Sequence, residues 1–201
     1  MKATPSATET VQDTGAFPKF VERQSPSREA FFIPDYGPIT FRPIDPQDEQ
    51  EMVRFHEALS EESISLRYFE HMKLETRTTH HRLQRVCQNS PDTYAIVAER
   101  PETPLRKAEI VAVARLNTTE DPFCAEASMV FWDEVKGTSL PARLLRQLII
   151  IARASGFSTM RGDLLPGDYE GHTLFHDLGF ATHMMPEDGI VRAVRSIHAG
   201  L

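Results

Sequence analysis

The chain has 201 residues, 40% hydrophobic and 25% charged, which suits one globular domain plus a tail. A net charge of −7 argues against nucleic acid as a partner, because gripping a phosphate backbone needs a basic surface. Cys87 and Cys124 are too few for a disulfide framework and point to a reducing cytoplasm, and the first 30 residues hold no run apolar enough for a signal peptide or a membrane span.

Residues 1 to about 30 are rich in Thr, Ser, Pro and charge and read as disordered; the flexible tail is taken to extend to residue 37. Within it, Ala30-Phe31-Phe32-Ile33-Pro34-Asp35-Tyr36 is apolar enough to lie across the domain as an extended strap, or to dock a partner. Ile39 to Ile44 alternates as a strand. Asp45-Pro46 then starts a helix, with Asp45 as N-cap, Pro46 at the first position and acids in the first turn. Ser60 opens a second helix, and a third is expected over 75–88. Asp92–Arg100, Glu109–Leu116 and Ala125–Trp132 read as three strands of a meander.

A helix over 140–154 ends at Gly156, followed by a strand at Ser158–Leu165. The last helix, Asp168–Leu178, closes at Gly179, and Ile190–Ile197 is the final strand. The order β-α-α-α-β-β-β-α-β-α-β implies an α+β fold around one mixed, mostly antiparallel sheet.

Residues 125–154 carry the chemistry. A strand feeds the turn Lys136-Gly137-Thr138-Ser139, and the turn feeds a helix N-terminus, so free amides and the helix dipole converge on an anion site. Alternation places Glu126, Ser128 and Val130 on one strand face, opposite Ala127 and Met129. His172 and His176, one and two turns after Asp168, have a spacing that permits metal binding. Such a trio also arises by chance on an exposed helix, and we read no metal site. His80-His81 reads as polar helix surface, Cys87 as a small core residue, Cys124 as a loop thiol, and Phe131 and Trp132 as packing residues.

The element order, with Ile39 to Glu49, Leu59-Ser60-Glu61-Glu62-Ser63, Arg67-Tyr68-Phe69, Ala125-Glu126 and Leu178-Gly179-Phe180, resembles the GNAT superfamily of acyl-CoA-dependent N-acyltransferases. Within it, the sequence is most similar to the acetyltransferase domain of bacterial protein lysine acetyltransferases. The resemblance implies a GNAT domain over 38–201 and acetyl-CoA or another acyl-CoA as acyl donor. It also implies an amine acceptor, among them a protein lysine, with neither nucleic acid nor membrane as partner; a homodimer is compatible. Glu126 matches the family's general base. An amide near Met129 or Val130 would polarise the thioester. The amides of Lys136, Gly137, Thr138, Ser139, Leu140 and Ala142 would hold the CoA pyrophosphate.

Three positions of that loop depart from the family's Gln/Arg-x-x-Gly-x-Gly/Ala pattern. Lys136 replaces Gln or Arg, Ser139 replaces the first glycine, and Pro141 removes an N–H donor where relatives have Gly or Ala. Asp168 stands at a cofactor-side position where relatives often carry Asn, and Phe175 where many carry a proton-donating Tyr. These departures keep a second reading open, a degenerate GNAT domain that binds a partner or senses a ligand. A third is a subunit docked through residues 31–36.

Overall fold

Eight strands form one sheet in the order β1-β2-β3-β4-β5-β6-β8-β7, in a computed structural model that describes residues 17–20, 30–34 and 36–198. They are β1 (Ala30–Ile33), β2 (Gly37–Pro43), β3 (Thr93–Arg100), β4 (Glu109–Thr118), β5 (Cys124–Phe131), β6 (Thr159–Leu164), β7 (Ala181–Met185) and β8 (Ile190–Ser196). The helices are α1 (Glu49–Glu57), α2 (Glu61–Tyr68), α3 (Leu74–Arg77), α4 (His80–Val86), α5 (Leu140–Ala154) and α6 (Tyr169–Asp177). Every neighbouring pair is antiparallel except β5–β6, which α5 joins as a crossover.

Period-two alternation sorts the sheet's side chains into two cores. Ala95, Val97, Val113 and Val130 pack under α1, α2 and α4 with Met52, Phe55, Ile64 and Leu83. Tyr94, Ile96, Ala114 and Ala127 face the other way, against Leu144, Leu148 and Ala152 of α5 and Phe175 of α6. The expected caps form. Asp45 and Asp48 make a reciprocal capping box at Pro46, and the Ser60 hydroxyl accepts from the Ser63 amide.

Four features differ from the sequence reading. The apolar strap is the edge strand β1, paired with β2 over Ala30–Ile33, and Ile33 is fully buried. Phe20, inside the stretch expected to be disordered, is buried against Phe157 at 4.9 Å, and its amide donates to Pro91 O at 3.1 Å; the rest of that stretch, 1–16 and 21–29, lies outside the described residues. The single helix expected over 75–88 is two. Thr79 is extended at φ −60°, ψ 136°. Before this break buried Arg77 donates to the carbonyls of His56 and Met72. The strand β7 has no counterpart in the expected order. It is exposed along most of its length and pairs only with β8, so no apolar alternation marks it.

Candidate functional site

The site lies where two strands part. β5 and β6 pair only at Cys124–Glu126 against Thr159–Arg161. Beyond that, β5 stays with β4 as far as Phe131 while β6 continues with β8. The wedge between them opens a cleft of about 630 Å³, walled by α2, β5, the turn before α5, β6 and α6.

Strand geometry decides which backbone groups face the wedge. The Trp132 amide bonds Val111 O on β4 at 3.0 Å, so alternation turns the amides of Val130 and Ser128 toward β4 as well. Those of Met129 and Ala127 turn toward β6, in agreement with Ala127 O lying 3.3 Å from where a Gly162 Cβ would be. Since β6 has diverged, the Met129 N–H opens into the cleft. Of the two amides named in the sequence analysis, that of Met129 faces the cleft. The Val130 amide belongs to the ladder, and its side chain, which borders the cleft, is 7% exposed.

The turn into α5 forms another part of the cleft wall. Gly137 has φ +72°, a conformation glycine adopts without strain. Lys136 N donates to Asp133 O, Thr138 N to Val135 O, and Leu140 N to Thr138 Oγ1. Among the described residues the amides of Gly137, Ser139 and Ala142 make no hydrogen bond. Three of the six expected donors are therefore free and three are occupied. Ser139 sits at φ −74°, ψ −6°, where no glycine is needed. The Leu140 side chain is fully buried in the core. Pro141 and Ala142 line the cleft and Ser139 does not.

The charges have definite partners. Lys136 Nζ bonds Asp133 at 2.8 Å and Glu62 at 3.1 Å. Burial pulls this ammonium down, but the two acids outweigh it and hold it above its ordinary value. Glu126 faces the cleft and takes both its bonds, from Arg161 Nε at 3.0 Å and the terminal nitrogen at 2.7 Å, on Oε2. Its Oε1 accepts no hydrogen bond among the described residues. Asp168 caps α6 by accepting from Gly171 N at 2.8 Å. Phe175 is buried against Phe180 and has no proton to give.

The other sequence candidates are structural. His172 Nε2 is bonded to Leu165 O at 3.1 Å, and among the described residues no group of His, Cys, Asp and Glu could hold a metal. Burial pushes the Cys87 thiol up to about 12 and raises Cys124 as well, so neither is an activated nucleophile. Trp132 Nε1 donates to Phe55 O, and its ring stacks on Phe55. Sequence reasoning missed the partner of Glu126: Arg161 stands opposite it only through the β5–β6 register. It also gave no role to Ser128, whose Oγ is buried in the cleft wall without a hydrogen bond. Arg67, also in that wall, was noted only as part of a family motif.

An open, mostly antiparallel sheet that parts at one parallel pair, with a helix N-terminus at the end of the parting, is the architecture of GNAT domains. No protein-family model matches the sequence. The structure is similar to the GNAT domain of S. lividans PAT, with a TM-score of 0.74, 22% identity, and coverage of 89% of this chain and 99% of that one. It is similar to Mycobacterium smegmatis RimJ, solved in complex with CoA-disulfide, with a TM-score of 0.64, 14% identity and coverage of 84% and 86%. Salmonella typhimurium yncA, solved with its cofactor acetyl-CoA, matches with a TM-score of 0.58, 16% identity and coverage of 79% and 94%. At these identities the comparisons establish a GNAT fold.

Proposed function

We propose that this protein is an N-acyltransferase that moves an acetyl or related acyl group from acyl-CoA to an amine. The observation that carries the reading is one cleft with two sets of free amides. Met129 N–H and the carboxylate of Glu126 come from the same strand, β5, in its wall, and the free amides of Gly137 and Ala142, with that of Ser139 between them in sequence, come from the turn into α5. The second set suits a pyrophosphate, each charge-assisted bond adding about 1.5–3 kcal/mol. The first suits a thioester carbonyl, whose oxygen gains negative charge as the amine attacks.

In that step the amine nitrogen bonds the carbonyl carbon and the carbon–sulfur bond breaks. Glu126 accepts the amine's proton, directly or through water, while Arg161 holds its Oε2 in place. The departing thiolate takes its proton from solvent, since Phe175 offers none. A protein lysine is the acceptor the family resemblance implies, and a cytoplasmic setting fits two buried free cysteines. Among the described residues no helix is long and apolar enough to cross a membrane.

One observation favours the second reading, a binding domain without turnover: the cleft is lined by Pro141, which lacks an N–H, and by the acids Asp168 and Glu170. Calorimetric titration with acetyl-CoA, followed by thiol release with an amine panel, separates the two. Binding with turnover, and a fall in kcat of about 10²- to 10⁴-fold in Glu126→Gln with acetyl-CoA affinity retained, is expected. No binding at millimolar acetyl-CoA would sink the enzyme; binding without turnover would favour the second reading.

A further inference from the structure

Arg67 projects from α2 into the cleft wall, over the Tyr68 ring at 5.1 Å, and Arg82 of α4 lies 5.4 Å from the same ring. Arg115 of β4, opposite Ser128 in the ladder, adds a third guanidinium and bonds Val86 O at 2.6 Å. Among the described residues none of the three has an acidic partner. The carboxylate that acts electrostatically on Arg67, Glu126, is bonded to Arg161. Burial pulls the Arg67 guanidinium below its ordinary value, and Arg82 adds to that. Arg115 is brought down to about 10 by burial and by Arg67.

Three like charges gathered without a counter-ion destabilise a fold, and a buried hydroxyl left without a partner adds to the cost. Both kinds of deficit meet at one place, because Arg67 and the unbonded Ser128 Oγ line the same cleft as Glu126. An incoming anion would satisfy them together. Arg67 can present two parallel N–H donors, the geometry that matches a carboxylate, and Ser128 Oγ can donate a third bond. Arg67 is on α2 and Ser128 on β5, two residues from Glu126, whereas the free amides belong to a separate element, the turn into α5.

We propose that Arg67 and Ser128 form a carboxylate-binding subsite for the acceptor, so that the amine acylated beside Glu126 belongs to a molecule carrying a carboxylate close to that amine. This rests on the acyltransferase reading above. The carboxylate has two sources, a free amino acid or an acidic residue flanking a lysine in a peptide. Arg67 acts here in binding and orientation, and Glu126 in proton transfer.

The test measures thiol release from acetyl-CoA with the twenty L-amino acids and their α-carboxamides, and with lysine pentapeptides flanked by Glu or by Gln. The wild type is compared with Arg67→Gln and Ser128→Ala. The expected result is turnover in one of the two arms that depends on the carboxylate. In Arg67→Gln, kcat/KM for that acceptor falls about 10- to 100-fold with acetyl-CoA affinity unchanged, while Ser128→Ala gives a smaller loss of the same kind. Removing one of three like charges should also raise the thermal midpoint of Arg67→Gln by about 2–4 °C, which a structural arginine would not do.

Equal use of carboxylate and carboxamide probes in both arms would overturn the subsite and leave the acyltransferase standing. Binding of acetyl-CoA with no turnover in either arm would overturn the subsite and favour the binding-domain reading over the acyltransferase. A matching loss of acetyl-CoA affinity in Arg67→Gln would assign the arginine to the CoA phosphates instead. Failure of the wild type to bind acetyl-CoA at all would remove both proposals.

Discussion

Replacing Gly162 with alanine sets a methyl group against an aromatic ring. Gly162 lies in β6 beside the parting of the strands, and a Cβ there would be 2.6 Å from both Cε1 and Cζ of Phe175 and 3.3 Å from Ala127 O. Carbon atoms rest at about 3.5–4.0 Å, so the ring must retreat by about 1 Å. It has little room to do so, being 4% exposed with Phe180 behind it at 4.8 Å between centroids. Overpacking of this kind costs about 1–3 kcal/mol, and removing a strand glycine returns roughly 0.5–1 kcal/mol. The net expectation is a loss of about 1–2 kcal/mol, or a thermal midpoint lower by about 3–6 °C for a chain of this length. Equilibrium urea unfolding would show a lower midpoint at constant slope. Phe175→Leu in the same chain should recover much of the loss, with a coupling of about 1 kcal/mol. If Gly162→Ala is as stable as the wild type, or if its loss is indifferent to Phe175→Leu, the packing argument fails.

Three further outcomes are expected. His56 is 3% exposed, and burial, helped by Arg77, Arg82 and Arg67, lowers it to about 4. The unfolded chain therefore takes up its proton first: the stability this residue contributes is full above pH 6.5 and falls by roughly 3 kcal/mol between 6.5 and 4. Urea midpoints for the wild type and His56→Leu should diverge over that window, and parallel pH profiles would refute the assignment. Arg42 binds Asp48 at 2.7 and 2.8 Å and Glu99 at 2.6 Å, with Asp48 only 6% exposed. Arg42→Met should cost about 3 kcal/mol or more in denaturant unfolding, because it leaves two acids facing each other, and a loss below about 1 kcal/mol would count against the network. Pro141→Ala restores an N–H at the cleft wall and should tighten acetyl-CoA about 2- to 10-fold by calorimetry; unchanged affinity would place the pyrophosphate elsewhere.

Local signals carried much of the architecture because short-range physics writes them into neighbouring residues. Asp45 before Pro46, Ser60 before two acids, and Gly156 and Gly179 after their helices each satisfy groups within a turn of themselves. The strand–turn–helix at Ala125–Ala154 was legible for the same reason. The β1 and β7 strands were not. The short β1 looked like a strap, and β7 lacks a buried face on which alternation could be imposed.

The amino-acid sequence by itself determined most of the element order, with β1, β7 and the break at Thr79 excepted, since periodicity and capping act along the chain, and its resemblance to a family singled out Glu126. Only the tertiary structure decided which amides are free, that Met129 rather than Val130 faces the wedge, and that Arg161 holds Glu126. It alone brought Arg67 and Arg82 over one tyrosine from two helices and set Arg115 of β4 within their electrostatic reach. Those facts depend on where β5 and β6 part and on cross-strand register, which belong to pairs of distant segments and to no single stretch of chain.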